Sequence, residues 1–216
     1  KQILEKLKQL QNEVRGNYEN YNFHLITSKI LNFCVNDLGG MYLDIVKDRL
    51  YTMKSNSVGR RSAQYAIKKV LITLNKNIAS IMPFTAYEFY EELFPGKGEK
   101  IFSEEYDEFD SDLTQDEIAL FQSLEDLRSR VYQAIESKRQ KGVIRNALDA
   151  EIEITLKKDA YNALKELSQE MHKFFIASKC TLVEGKSEKI KIKASKYEKC
   201  SRCWHREEEL NSDGIC

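Results

Sequence analysis

The stretch Ala63–Pro83, AQYAIKKVLITLNKNIASIMP, decides the fold of the first half of the chain. Ala63, Ala66, Ile67, Val70, Leu71, Leu74, Ile78 and Ile81 recur at the spacing of one helix face, and Met82-Pro83 stops the run. A face that broad needs partner helices to cover it. Upstream, Ile3, Leu4, Leu7, Leu10 and Val14 form a stripe ended by Gly16, and Phe23, Ile26, Ile30, Phe33 and Cys34 form a second. Gly39-Gly40 breaks or bends the chain, and Met41, Leu43, Ile45 and Val46 open a further segment towards Tyr51. Ser55 to Gly59 reads as a polar loop, and Thr85 to Leu93 as a short last helix. An antiparallel helical bundle over residues 1–98 is the expected architecture.

The second half changes character. Residues 99–113 form an acidic connector; Ile101, Phe102, Tyr106 and Phe109 offer a way to pin it across the bundle surface, but a solvated linker is the expected reading. Thr114 stands ahead of Glu117 in capping-box spacing, and Ile118, Phe121, Leu124, Leu127, Val131 and Ile135 carry a helix to about Arg139. Lys141-Gly142 ends it. Ala150 to Leu156 alternates as a strand, Lys158 to Phe175 reads as a helix, and Ala177 to Val183 and Ile190 to Ala194 are strand candidates. Residues 114–196 therefore make a small α+β domain, leading into a cysteine-bearing end over 197–216. The fold class is mainly α: an antiparallel helical bundle, then a small α+β domain ending in a truncated zinc knuckle.

That end holds the clearest chemistry. Cys200 and Cys203 form a CxxC turn followed by Trp204 and His205, and Cys216 comes 13 residues after Cys203. Two CxxC turns around a short hairpin supply the four soft ligands of a tetrahedral zinc. Cys216 sits where the second pair begins, and Lys1 already lies inside a helical pattern, so the chain reads as part of a longer protein. Cys200, Cys203 and Cys216 are the candidate zinc ligands. His205 is too close in sequence to Cys203 to share its metal comfortably, and Cys34 and Cys180 read as inert core thiols.

Charge is uneven beneath a net value of zero. Residues 1–98 carry 14 Lys+Arg against 9 Asp+Glu, 99–126 carry 1 against 11, and 127–216 carry 19 against 14. Two mildly basic lobes flank the acidic stretch, which permits contact with a phosphate backbone. Lys47, Arg49, Lys54, Arg60 and Arg61 gather where two bundle helices meet, the type of cluster that positions phosphates without reading sequence. Trp204 is the single tryptophan, and with Lys199, Arg202 and Arg206 flanking it an exposed indole would stack on an unpaired base; the alternative is that it packs on the small domain and caps the hairpin. His24 is expected to pack inside the bundle.

Four motifs in order carry a resemblance: Tyr18-x-x-Tyr21-x-Phe23-His24, Tyr42-Leu43-Asp44-Ile45-Val46-Lys47-Asp48-Arg49-Leu50-Tyr51, Arg60-Arg61-Ser62-Ala63-Gln64 and Pro83-Phe84-Thr85-Ala86-x-Glu88. They resemble the anticodon-binding helical domain of class I aminoacyl-tRNA synthetases. Lys199-Cys200-Ser201-Arg202-Cys203-Trp204, and the junction from Gly142 to Ala150, resemble the C-terminal end of the isoleucyl-tRNA synthetase family. The chain departs from that pattern at Tyr106, where many relatives carry tryptophan. The resemblance implies recognition of the anticodon stem-loop of isoleucine tRNA and a structural zinc. It also implies a cytoplasmic, monomeric parent that ligates isoleucine to tRNA with ATP. The catalytic and editing domains, with the ATP site, would lie upstream of Lys1.

The catalytic signatures are missing from this sequence. It has no Gly-rich phosphate loop, no His-Ile-Gly-His or Lys-Met-Ser-Lys-Ser element, and its three histidines, His24, His172 and His205, fall in separate elements. No catalytic residue is expected here. The competing reading is a protein-interaction helical module whose zinc hairpin is only a structural terminus, without an RNA role.

Overall fold

The computed structural model describes residues 1–109 and 113–216 and divides into two compact units, 1–114 and 115–216. Residues 110–112 of the expected acidic connector lie outside the described residues.

The first unit contains α1 (Gln2–Glu19), α2 (Phe23–Asn32), a π-helical segment (Phe33–Leu43), α3 (Asp44–Tyr51), α4 (Val58–Ile78) and α5 (Pro83–Leu93). Ile3, Leu7, Leu10 and Val14 of α1 pack against Ile26, Phe33, Ala66 and Val70. Burying each large aliphatic side chain contributes about 1.5–3 kcal/mol, which makes this seam the main stabilising feature of the unit.

Three local expectations are corrected. Helix α1 runs through Gly16 to Glu19. A glycine inside a helix costs only about 1 kcal/mol, while Tyr18 beyond it packs on the core and donates to the Asn77 carbonyl at 3.0 Å. The turn falls instead at Tyr21, whose φ is 59°. Gly39-Gly40 does not break the chain either, because both ends of the 11-residue π segment join α-helical backbone directly. A Cβ on Gly39 would stand 3.1 Å from the Cys34 carbonyl oxygen, and one on Gly40 3.1 Å from that of Val35. The two glycines relieve that crowding in the widened turn. Finally, α4 starts at Val58, within the expected loop. Ser57 is its N-cap, with Oγ accepting from the Arg60 N–H at 3.3 Å. The helix ends at Ile78, leaving Ile81 exposed, and Pro83 opens α5.

The segment after α5 is a packed strap, not the expected solvated linker. Ile101 is buried with Ala86 and Tyr90, and Phe109 packs against the α1–α2–α4 core. The Lys76 ammonium, on a side chain only 7% exposed, lies 3.0 Å from Asp107 and 3.3 Å from Glu104. Thr73 donates to Asp107 at 3.1 Å, and Gln11 donates to the Asp107 carbonyl at 2.7 Å. Part of the acidity read as linker character therefore neutralises a nearly buried lysine.

The second unit contains α6 (Gln115–Gln140), β1 (Ala150–Leu156), α7 (Lys158–Leu164), α8 (Met171–Phe175), β2 (Lys179–Glu184), β3 (Lys189–Ala194), β4 (Glu198–Lys199) and β5 (Arg206–Glu207). Central β1 pairs parallel with β2 and antiparallel with β3. Its period-two pattern turns Ala150, Ile152, Ile154 and Leu156 into a core shared with Leu124, Leu127, Val131 and Ile135 of α6 and with Met171 and Phe175. Glu151, Glu153 and Thr155 take the opposite face. The single helix expected over Lys158–Phe175 is interrupted by a tighter 3₁₀ stretch, Lys165–Glu170. No side chain in that stretch is buried, so packing does not hold it in α geometry. Ile176, in the left-handed region at φ 53°, ends α8, and β2 starts at Lys179 instead of Ala177.

Candidate functional site

Strands β4 and β5 form a two-stranded hairpin around the CxxC turn. The Cys200 N–H donates to the His205 carbonyl at 2.8 Å, and the Trp204 N–H donates to the Cys200 carbonyl at 3.1 Å. This turn gathers the sulfurs. The Sγ atoms of Cys200, Cys203 and Cys216 lie within 4.8 Å of one another, and those of Cys203 and Cys216 are 3.6 Å apart. Zinc–sulfur bonds of about 2.3 Å in a tetrahedron put neighbouring sulfurs about 3.8 Å apart, so one soft cation fits this group.

The backbone favours a thiolate at one corner. Burial alone would raise the Cys200 thiol, but N–H groups of Cys203, Cys216 and Arg202 hold it down at about 6. Burial and the neighbouring thiols push Cys203 up to about 12. A cation between the sulfurs would reverse that second effect and stabilise all three as thiolates. His205 takes no part in the three-sulfur group. It is buried, with its ring edge-on to His172 at 6.1 Å between centroids.

Trp204 stands out from the hairpin, 57% exposed, with backbone φ at 69°. The Lys199 ammonium sits 4.6 Å over its ring, and Arg202 is exposed two residues before it. Arg206 departs from the expected arrangement. Its Nε and Nη2 meet Asp149 Oδ1 at 2.8 and 2.7 Å, and Nη1 donates to the Tyr197 carbonyl at 3.0 Å. Its backbone N–H donates to Ser178 Oγ at 2.6 Å. The guanidinium thus ties the knuckle to the sheet domain. Burial would raise the Asp149 carboxyl, but Arg206 and the N–H groups of Asn146 and Arg145 hold it below its ordinary value. Asp149 and Ser178 are not legible as site residues in the sequence, because the Asp149–Arg206 pair spans 57 positions.

In the first unit, Lys47, Lys54 and Arg61 are exposed at the end of the bundle formed by α3, the following turn and the start of α4. Arg49 and Arg60 are half-buried there. Arg60 donates to the Met53 carbonyl at 3.1 Å and Arg61 to Gln64 Oε1 at 3.1 Å, so both are oriented by the loop and helix that carry them. His24 is exposed and does not pack inside the bundle as expected. Burial raises the thiols of Cys34 and Cys180, the latter to about 12, which fits inert packing. Among the described residues, no helix is long and apolar enough to cross a membrane.

Residues 1–154 match the family described as the anticodon-binding domain of tRNA ligase. The chain belongs to that family. The match to the anticodon-binding domain takes in the bundle, α6 and most of β1. The chain is 39% identical over 203 residues to an isoleucine–tRNA ligase of Paraburkholderia phytofirmans, covering 91% of this chain and 21% of that protein. It is 35% identical over 223 residues to the isoleucine–tRNA ligase of Legionella pneumophila (strain Lens), covering 97% and 24%. The chain therefore spans about a fifth to a quarter of the length of these relatives. The cation cluster of the bundle lies in the first compact unit and the sulfur cluster in the second.

Proposed function

We propose that this chain is the tRNA-recognition end of an isoleucine–tRNA ligase and binds the anticodon stem-loop of isoleucine tRNA. The match of residues 1–154 to the anticodon-binding domain carries this reading, and the similarity to isoleucine–tRNA ligases over 91–97% of the chain supplies the amino acid. Lys47, Arg49, Lys54, Arg60 and Arg61 on the bundle hold phosphates of the stem, as compact or forked cations without base preference. Trp204 offers its exposed face to an unpaired base, with Lys199 and Arg202 beside it. Arg206 serves that contact indirectly, through Asp149.

The functional boundaries in this reading are the bundle at 1–98, an acidic connector at 99–113, the α+β domain at 114–196 and the knuckle at 197–216. Zinc held by Cys200, Cys203 and Cys216 supplies a structural cross-link to a hairpin that has little core of its own. The parent protein, a cytoplasmic monomer, ligates isoleucine to tRNA using ATP bound in its catalytic domain, with an editing domain in the same chain. The present residues catalyse no step of that reaction.

Binding of the 216-residue chain to isoleucine tRNA, and to the same tRNA with an altered anticodon, tests the proposal across a salt series. Tighter binding to the native anticodon with a steep salt slope is expected. Binding to neither tRNA at low salt would overturn it and favour the protein-interaction module.

A further inference from the structure

The sheet face opposite the α6 core carries a lysine array separate from both the bundle cluster and the knuckle. Strand register sets Lys179, Glu151 and Lys193 in one row across β2, β1 and β3. Thr181, Glu153 and Lys191 form the next row, and Val183, Thr155 and Lys189 the third. Alternate residues of a strand are about 6.8 Å apart, so β3 presents Lys189, Lys191 and Lys193 as a regular row of cations. Successive phosphates of a nucleic-acid strand recur at a comparable interval.

The central strand orders this array without cancelling it. Lys193 pairs with Glu151 at 3.0 Å and Lys191 with Glu153 at 2.7 Å, while the two lysine side chains stay 76% and 68% exposed. Each ammonium has three donors, so a single carboxylate leaves others for an incoming anion. Four lysines against two carboxylates give the face a positive balance. Lys138 joins Lys179, Lys191 and Lys193 in lining an open groove of about 620 Å³ there.

We propose that this sheet face is a second docking surface for the phosphate backbone of RNA. The inference rests on the tRNA reading above and extends it to residues outside the motifs quoted for the resemblance. Phosphate is favoured over bases because the three rows contain no aromatic ring to stack on. An apolar protein partner is disfavoured because Val183 is their one large apolar side chain.

The test is tRNA binding by the Lys179→Gln/Lys191→Gln/Lys193→Gln chain, with Lys191→Gln alone as a milder variant. Each phosphate contact contributes about 0.7–0.9 to the slope of log affinity against log salt. The triple variant should lower that slope by about 2 and the single variant by up to about 0.9, with the preference for the native anticodon unchanged. Urea midpoints and Trp204 emission establish folding, and if the triple variant does not fold, the single variant decides. Unchanged slopes in folded variants of a chain that binds tRNA would overturn the face alone; the lysines would then serve only to keep exposed strand edges soluble. Failure of the unaltered chain to bind tRNA would overturn the tRNA reading and this surface together.

Discussion

The bundle and the knuckle hold their exposed cations in place by opposite physical means. In the bundle, a continuous apolar seam from Ile3 to Val70 fixes the scaffold; Arg61 rides on α4, which that seam holds, and Lys47 and Lys54 lie on α3 and the turn leading into α4. The knuckle contributes one fully buried hydrophobic-class side chain, Cys200, and its sulfur is also a candidate metal ligand. Its position depends on three sulfurs, two short strands and the tie from Arg206 to Asp149. Burial makes a scaffold tolerant of solution conditions, whereas a metal and an ion pair make one that answers to chelators and pH.

Removing the metal should separate the two regions most sharply. Zinc-finger peptides gain about 10–16 kcal/mol of apparent folding free energy from zinc. Cys203→Ser, or a chelator, should therefore abolish stoichiometric zinc uptake and shift Trp204 emission. Trp204 is the one tryptophan, so that emission reports the knuckle alone. Helical circular dichroism should remain nearly unchanged, and its collapse would show that the bundle depends on the knuckle. The converse experiment is Leu7→Ala, at a fully buried position of the seam. It should cost about 2–5 kcal/mol in urea unfolding of the bundle while leaving Trp204 emission in native buffer unmoved.

Lys76→Met probes the strap. It strands Glu104 and Asp107 without their cation, an expected loss of about 3 kcal/mol by urea unfolding, together with faster proteolysis between residues 98 and 109. Retained stability and protease resistance would return this segment to the solvated linker that its composition suggests.

Much of this organisation is legible in the sequence. Apolar periodicity locates every major helix and all three strands of the larger sheet, because burial drives both the pattern and the element. What it misses is decided by single contacts. Gly16 reads as a stop, but the Tyr18–Asn77 contact lies across the bundle from it. Gly39-Gly40 reads as a break or a bend, and nothing in residue type alone distinguishes either from a widened helix. Arg206 reads as RNA-facing because Trp204 is close to it in sequence, whereas its partner Asp149 is distant. The three cysteines are legible because metal-ligand spacing is local. The lysine alternation of β3 is visible, but its meaning requires the register with Glu151 and Glu153.

The Arg206 tie gives the smallest predicted stability effect and the most specific one. Asp149→Asn and Arg206→Gln should each destabilise the second unit by about 1–3 kcal/mol, and the double variant by little more than either alone. Because Asp149 is depressed in the folded state, its contribution is complete above the ordinary carboxyl value of about 4 and lost as pH falls below it. Urea midpoints at about pH 6 and about pH 3, on either side of that value, should differ less in Asp149→Asn than in the unaltered chain. Additive losses would mean that the pair does not couple the knuckle to the sheet.

The division of labour itself is tested by isoleucine tRNA binding, with native and altered anticodons, for the Trp204→Ala chain beside the Lys47→Gln/Arg61→Gln chain over a salt series. Loss of one stacked base should cost about 1–3 kcal/mol, so Trp204→Ala is predicted to lose most anticodon preference and keep its salt slope. The bundle variant is predicted to do the reverse, losing about 0.7–0.9 of slope per phosphate and keeping the preference. Retention of full anticodon preference by Trp204→Ala, with a reduced salt slope, would contradict base recognition by the knuckle.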